Sequence, residues 1–311
     1  MNLLTKALLS SWDLRPEILV TLTVLGALHF AGWLKLRRRS DGRFANRWRL
    51  ASYTGGIIVL ALALLSPIAV LSSQLFSIHM VQHLLLMMVA PPLLLLANPF
   101  PTFLWALPDR LRAAVASTFR RLAVWLNRDS LLSCSALKAI APASAWALYV
   151  LIFFAWHDGN AYSLALRFSS VHGLEHFTFI GGALLFWWHV TGAAPRFHSK
   201  PAQWLRVAYV LAMIPPNMLL GVALSFASTP IYPYYESVPR LYGLSVMDDQ
   251  VWGGLIMWIP GSMMYVVAAL VLLARLLVSA ENESRIRRPH PPVMGLTHRP
   301  NRGGPTALAC G

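Results

Sequence analysis

The sequence predicts an all-α, polytopic membrane protein with seven transmembrane helices, and three observations carry that prediction. Apolar residues fill 57% of the 311 positions and charged residues only 12%, about half the charged share of an ordinary soluble domain. Seven apolar stretches are each long enough to cross ~30 Å of hydrocarbon as a helix. The basic residues fall almost entirely in every second connection between those stretches.

The spans lie at roughly 17–36, 50–70, 78–98, 142–158, 172–191, 206–227 and 250–275, with ends uncertain by a few residues. Before the first, Met1 to Arg15 lacks the charged, apolar, then small-residue order of a cleavable leader, so that span is expected to stay. The third carries Pro91-Pro92 and the sixth Pro215-Pro216, and each pair removes backbone hydrogen bonds and kinks its helix. Residues 108–128 put Leu111, Val115, Phe119, Leu122 and Trp125 on one face and arginines on the rest, the pattern of an amphipathic helix on the inner leaflet. The fourth span is the shortest and ends at Trp156-His157-Asp158. Gly181-Gly182, Gly253-Gly254 and Gly261 offer small surfaces for close helix approach. Trp12, Trp33, Trp105, Trp156, Trp188 and Trp252 sit near span ends, as interfacial belts require. The loop 228–247, rich in Tyr and Pro, is placed to lid the outer face. Residues 1–278 therefore read as one transmembrane domain, and 279–311, rich in Pro, Gly and Arg, as a disordered cytoplasmic tail.

A formal charge of +14 would suggest nucleic acid as the partner of a soluble chain. Here all of the 26 Lys and Arg residues except Lys6, Arg15, Arg167 and Arg240 map to one side of the bilayer. The positive-inside rule then puts the N-terminus outside and the C-terminus in the cytoplasm. Lipid explains the charge, and nucleic acid is not needed.

With that orientation, two histidine pairs acquire an address. His79/His83 open the third span and His172/His176 the fifth, both at the outer face. Residues four apart share one face of a helix, and imidazoles in a bilayer are rare and mark functional sites. His157 lies at the same level, together with Asp158 and the Asp248-Asp249 pair. Met87 continues the His79/His83 stripe, and Met257 shares a face with Asp249. Imidazole with thioether favours Cu(I) or another soft ion. A lone Met is ordinarily core filler, so the histidine stripe carries more of the argument. His189, His198, His290 and His298 map to the cytoplasmic side, and His29 lies inside the first span.

Other chemistries find less support. Cys134 and Cys310 form no C-x-x-C, which removes thiol–disulfide exchange. His172-Gly-Leu-Glu-His176 matches the H-x-x-E-H pattern of one metalloprotease class, but it opens a membrane span and lacks a third ligand at family spacing. Glu175 then reads as a helix N-terminal residue whose charge suits the dipole. The four lysines are Lys6, Lys35, Lys138 and Lys200, so no Schiff-base residue for retinal lies in the last span. Haem-binding redox protein and metal transporter stay open as alternatives: paired histidines suit axial ligation, whereas transport would need polar groups at mid-depth, and few are present.

The run His79-Met-Val-Gln-His83-Leu-Leu-Leu-Met87 with Ala90-Pro91-Pro92 resembles the CtaG-like family of cytochrome c oxidase assembly factors. So do His172-Gly-Leu-Glu-His176-Phe and Asp249-Gln250-Val-Trp-Gly253-Gly254-Leu-Ile-Met257-Trp258, in order and spacing over roughly residues 50–275. The resemblance implies a seven-helix protein of the bacterial cytoplasmic membrane that serves maturation of haem–copper oxidases, through copper supply to the catalytic subunit. It marks His79, His83, His172, His176 and Asp249. The expected function is a non-enzymatic assembly factor that binds copper, Cu(I) by preference, with zinc and haem open. Its partners would be the oxidase catalytic subunit and a periplasmic or extracellular copper donor.

Overall fold

The computed structural model of the chain describes residues 10–40, 45–127, 135–195 and 202–287, and every regular element among them is helical. Cys134, Cys310, His198, His290 and His298 lie outside the described residues, as does the tail from 288 onward.

Helix α1 (Pro16–Arg39) starts on a proline and ends on three arginines, so its fixed φ and its charges suit the two termini. Asn46 caps α2 (Arg47–Leu65) by accepting from the Trp48 amide. Ser66 ends α2 and caps the short α3 (Pro67–Leu71) through the Ile68 amide. The third span is α4 (Phe76–Leu84), one wide π-helical turn at Leu85–Val89, then α5 (Ala90–Leu96). The cause of the wide turn is legible. Pro91 has no N–H to return to the Met87 carbonyl, and the Trp187 indole N–H takes that carbonyl instead at 2.9 Å. After α6 (Pro99–Ala106) comes α7 (Asp109–Asn127), the expected amphipathic helix.

Helix α8 (Ser135–Trp156) is followed by a short helix that sequence patterning did not indicate, α9 (Gly159–Arg167), capped by Asp158. Next is α10 (Ser169–Thr191). The sixth span breaks where its prolines require, into α11 (Gln203–Leu211) and α12 (Ile214–Ser225). The last helix, α13 (Val246–Arg287), runs on past the boundary at 278 expected from composition. Gly221 and Gly254 let α12 and α13 approach so closely that a methyl group on either would strike the other helix.

Helices thus stand at all seven expected places. Five stretches, Pro16–Arg39, Arg47–Leu71, Phe76–Leu96, Gln203–Ser225 and Val246–Ser279, are long and apolar enough to cross a membrane. The apolar part of α8, Ala141–Trp156, is shorter. Helix α10 is long enough, but His172, Glu175, His176 and His189 lower its apolar character.

Candidate metal centre

The site begins with the way α4 is anchored. Its first amides have no partner within the helix, as at any helix start. Asp249, from the first turn of α13, supplies the acceptors: Phe76 N–H donates to one carboxylate oxygen at 2.8 Å, and Ser77 N–H and Oγ–H donate to the other at 3.0 and 2.6 Å. Gly253 makes room, since a side chain there would collide with the Phe76 ring. A carboxylate on the positive end of α4 thereby sets the height and rotation of the helix that carries His79 and His83.

Opposite, α10 presents His172, Glu175 and His176 on one face. One ligand atom from each of His79, His83, Glu175 and His176 falls within a set whose members all lie within 4.8 Å of one another. All four side chains are buried, Glu175 completely. The His79 and His83 rings are 4.2 Å apart, as are those of His172 and His176, and His79 lies 5.4 Å from His172. His157 stands at the edge, 6.0 Å from the His83 ring.

Buried polar atoms are ordinarily hydrogen-bonded. Here Nε2 of His79, His157, His172 and His176, both nitrogens of His83 and both oxygens of Glu175 have no hydrogen-bond partner. Glu175 sits 3.5 Å from His83 Nε2 and 3.9 Å from His172 Nε2, too loosely for either to count as a good hydrogen bond. Uncompensated burial of this many polar atoms is costly, and a cation held by one ligand atom each from His79, His83, Glu175 and His176 would offset part of that cost.

Residues behind the cluster dictate which nitrogens face it. Burial raises the Tyr235 phenol well above its ordinary value, so it keeps its proton and donates to the Ser72 carbonyl at 3.0 Å. Its oxygen can then only accept from Tyr162 Oη, 3.0 Å away. Tyr162 in turn accepts from His79 Nδ1 at 2.8 Å. A chain running in this direction from the Ser72 carbonyl puts the proton on Nδ1 of His79 and leaves Nε2 as a bare lone pair. His157 Nδ1 likewise donates to the Phe153 carbonyl at 2.6 Å, leaving its Nε2 bare.

The 228–247 loop forms the roof. Its 3-10 turn, Pro233–Glu236, buries Tyr235 against His79, and Tyr232 donates to the His157 carbonyl at 3.1 Å. Arg240 ties the loop to Asp249 at 3.4 Å.

Among the residues singled out from sequence, the structure brings His79, His83, His172 and His176 together with His157 beside them. Asp249 is placed otherwise: both its oxygens are committed to capping α4 and to Arg240. Met87 and Met257 do not join the histidine–glutamate set; they line a small cavity with His83 and His157. Glu175 was missed. It is not in the first turn of α10, which starts at Ser169, and it is not a cap. The signal was present in the H-x-x-E-H spacing, where Glu175 stands three residues after His172 and so on its face.

Comparisons with known proteins agree with the motifs. The chain is 25% identical over 268 residues to an uncharacterised protein of Mycobacterium leprae (strain TN), covering 85% of this chain and 39% of the relative. It is 27% identical over 254 residues to uncharacterised proteins of Mycobacterium bovis and Mycobacterium tuberculosis, covering 80% of this chain and 37% of each. The chain thus spans less than two-fifths of the length of these relatives. No solved structure matches it. Residues 27–279, which contain every side chain of the cluster and of its roof, match the model of the cytochrome c oxidase caa3 assembly factors, and the chain belongs to that family.

Proposed function

We propose that the protein is a non-catalytic assembly factor that holds copper in the His79/His83/His172/Glu175/His176 cluster and delivers it to the catalytic subunit of a haem–copper oxidase. The observation that carries this reading is the convergence of buried imidazole nitrogens and one carboxylate, none of them hydrogen-bonded, in a space the size of an ion. Neutral imidazoles and a single Glu175 charge balance Cu(I) to zero. A divalent ion would leave a net positive charge in the apolar interior, which is expensive. The absence of thiolate from the set suits cargo that must leave again. Rings 4.2 to 6.0 Å apart leave room for an ion and none for a porphyrin between them, which weighs against the haem alternative.

In this reading all seven helical regions cross the cytoplasmic membrane of a bacterium, with the cluster at the outer face, where a periplasmic or extracellular donor reaches it. The asymmetry of Lys and Arg supports that orientation. A C-terminal alkaline phosphatase fusion should be inactive and a C-terminal green fluorescent fusion bright; the reverse pattern overturns the orientation and the outer location together.

Metal analysis of detergent-purified protein tests the core of the proposal. Wild type should retain copper that the His79→Ala/His83→Ala variant has lost. Deleting the gene should lower haem–copper oxidase activity, spare copper-free terminal oxidases, and be partly rescued by excess copper. Full oxidase activity in a His83→Ala strain, or stoichiometric haem in the purified protein, would refute it.

A further inference from the structure

Directly beneath the cluster lies a second feature that the proposed cargo site does not use. It is a cavity of about 20 Å³, enough for a single ion or water. Four methionines line it: Met80, Met87, Met88 and Met257, all buried. The wide turn created by Pro91 explains their density, because Leu86, Met87 and Met88 are consecutive and all buried.

The wall also carries a polar group with a fixed orientation. Asn217 Nδ2 donates to the Met257 carbonyl at 2.8 Å and to Ser262 Oγ at 3.1 Å. A carbonyl can only accept, so the amide cannot be flipped, and Oδ1 is the atom left over. Oδ1 is buried with no hydrogen-bond partner, in a residue 1% exposed. His83 and His157 complete the lining. His83 belongs to both places: it is a member of the upper cluster and part of this wall, with neither nitrogen hydrogen-bonded.

We propose that this cavity is a second cation station, specific for a soft monovalent ion such as Cu(I), which it exchanges with the upper cluster across His83. Thioether donors prefer Cu(I) over harder ions. All the donors lining the cavity are uncharged, so a monovalent ion carries the smallest desolvation cost that any metal cation can. No oxidation or reduction is involved, because the ion moves as Cu(I) from one ligand set to the other. The inference rests on the metal reading of the upper cluster, and the test separates the two.

Detergent-purified protein is titrated anaerobically with Cu(I) against a chromophoric chelator, and the loaded samples are examined by X-ray absorption at the copper edge. Wild type should take up a second equivalent, and its spectrum should contain sulfur scattering together with nitrogen. Met87→Leu/Met257→Leu, which conserves side-chain volume, should lose one equivalent and the sulfur signal while keeping the other. His79→Ala/His176→Ala should lose the complementary equivalent and retain sulfur. If wild type binds a single equivalent with nitrogen and oxygen ligation alone, the cavity holds water, the second station falls and the upper site stands. If wild type binds no Cu(I), both fall. The wild-type spectrum decides the matter even if the methionine variant fails to fold.

Discussion

His29 and the histidine cluster are both buried imidazoles in a bundle of apolar helices, yet their surroundings differ in kind. His29, on α1, is stacked on Tyr53 with ring centroids 3.8 Å apart and an angle of 9°. Its Nδ1 lies 2.8 Å from Thr102 Oγ1, whose own proton goes to the Pro99 carbonyl at 2.7 Å. The ring therefore donates to Thr102 and ties α1, α2 and α6 together. Its Nε2 has no hydrogen-bond partner, and His29 belongs to no cluster of ligand residues among the described residues. In the cluster, free lone pairs from separate helices aim at one volume. Burial alone marks an expensive residue; convergence of unsatisfied acceptors marks a place for a cation.

Exchanging the two roles gives the largest expected effect. His176→Ala should reduce metal affinity by at least about 100-fold, more than loss of an outer-shell partner costs, with little change in the melting of the metal-free protein. His29→Ala should do the opposite, destabilising by about 3 kcal/mol as other large-to-small core changes do, with metal content unchanged. A His29→Ala protein that melts normally but lacks copper would dissolve the distinction.

Glu175→Gln sharpens the comparison within the cluster. The amide keeps the shape and removes the only charge, so metal affinity should fall by about 10- to 100-fold, the scale of lost electrostatic support at metal sites. The metal-free protein should become no less stable, because a buried carboxylate with no partner is a liability. Thermal melts with and without copper read both quantities. An unchanged affinity would remove Glu175 from the site.

Asp249→Ala should have the smallest effect on binding. Loss of a helix cap costs about 1–2 kcal/mol, seen as lower thermal stability, while copper stoichiometry stays the same. Loss of the metal with stability intact would return Asp249 to the ligand set and contradict the capping geometry.

How far the site was legible depends on how local each signal is. His79/His83 and His172/His176 declare themselves because four-residue spacing on a helix is a local property. Glu175 had the same spacing, but a helix start is also an ordinary place for Glu, and the local reading took the commoner role. Asp249 failed in the other direction: an acid beside a metal motif looks like a ligand, and its partners Phe76 and Ser77 are more than 170 positions away. Nor does Tyr162, on the unanticipated α9, betray from its neighbours that it hydrogen-bonds the His79 ring.

The sequence by itself determined the helical architecture, the places of the helices, the irregularities at Pro91-Pro92 and Pro215-Pro216, and the histidine pairs. Those follow from hydropathy, helix periodicity and proline's missing N–H, which act within a few residues. Only the tertiary structure decided which donors meet: Glu175 among the imidazoles, Asp249 at the start of α4, the methionines around their own cavity, and Tyr162 and Tyr235 behind His79. Those meetings depend on helix rotation and height, which packing sets and to which atoms far apart in the chain contribute.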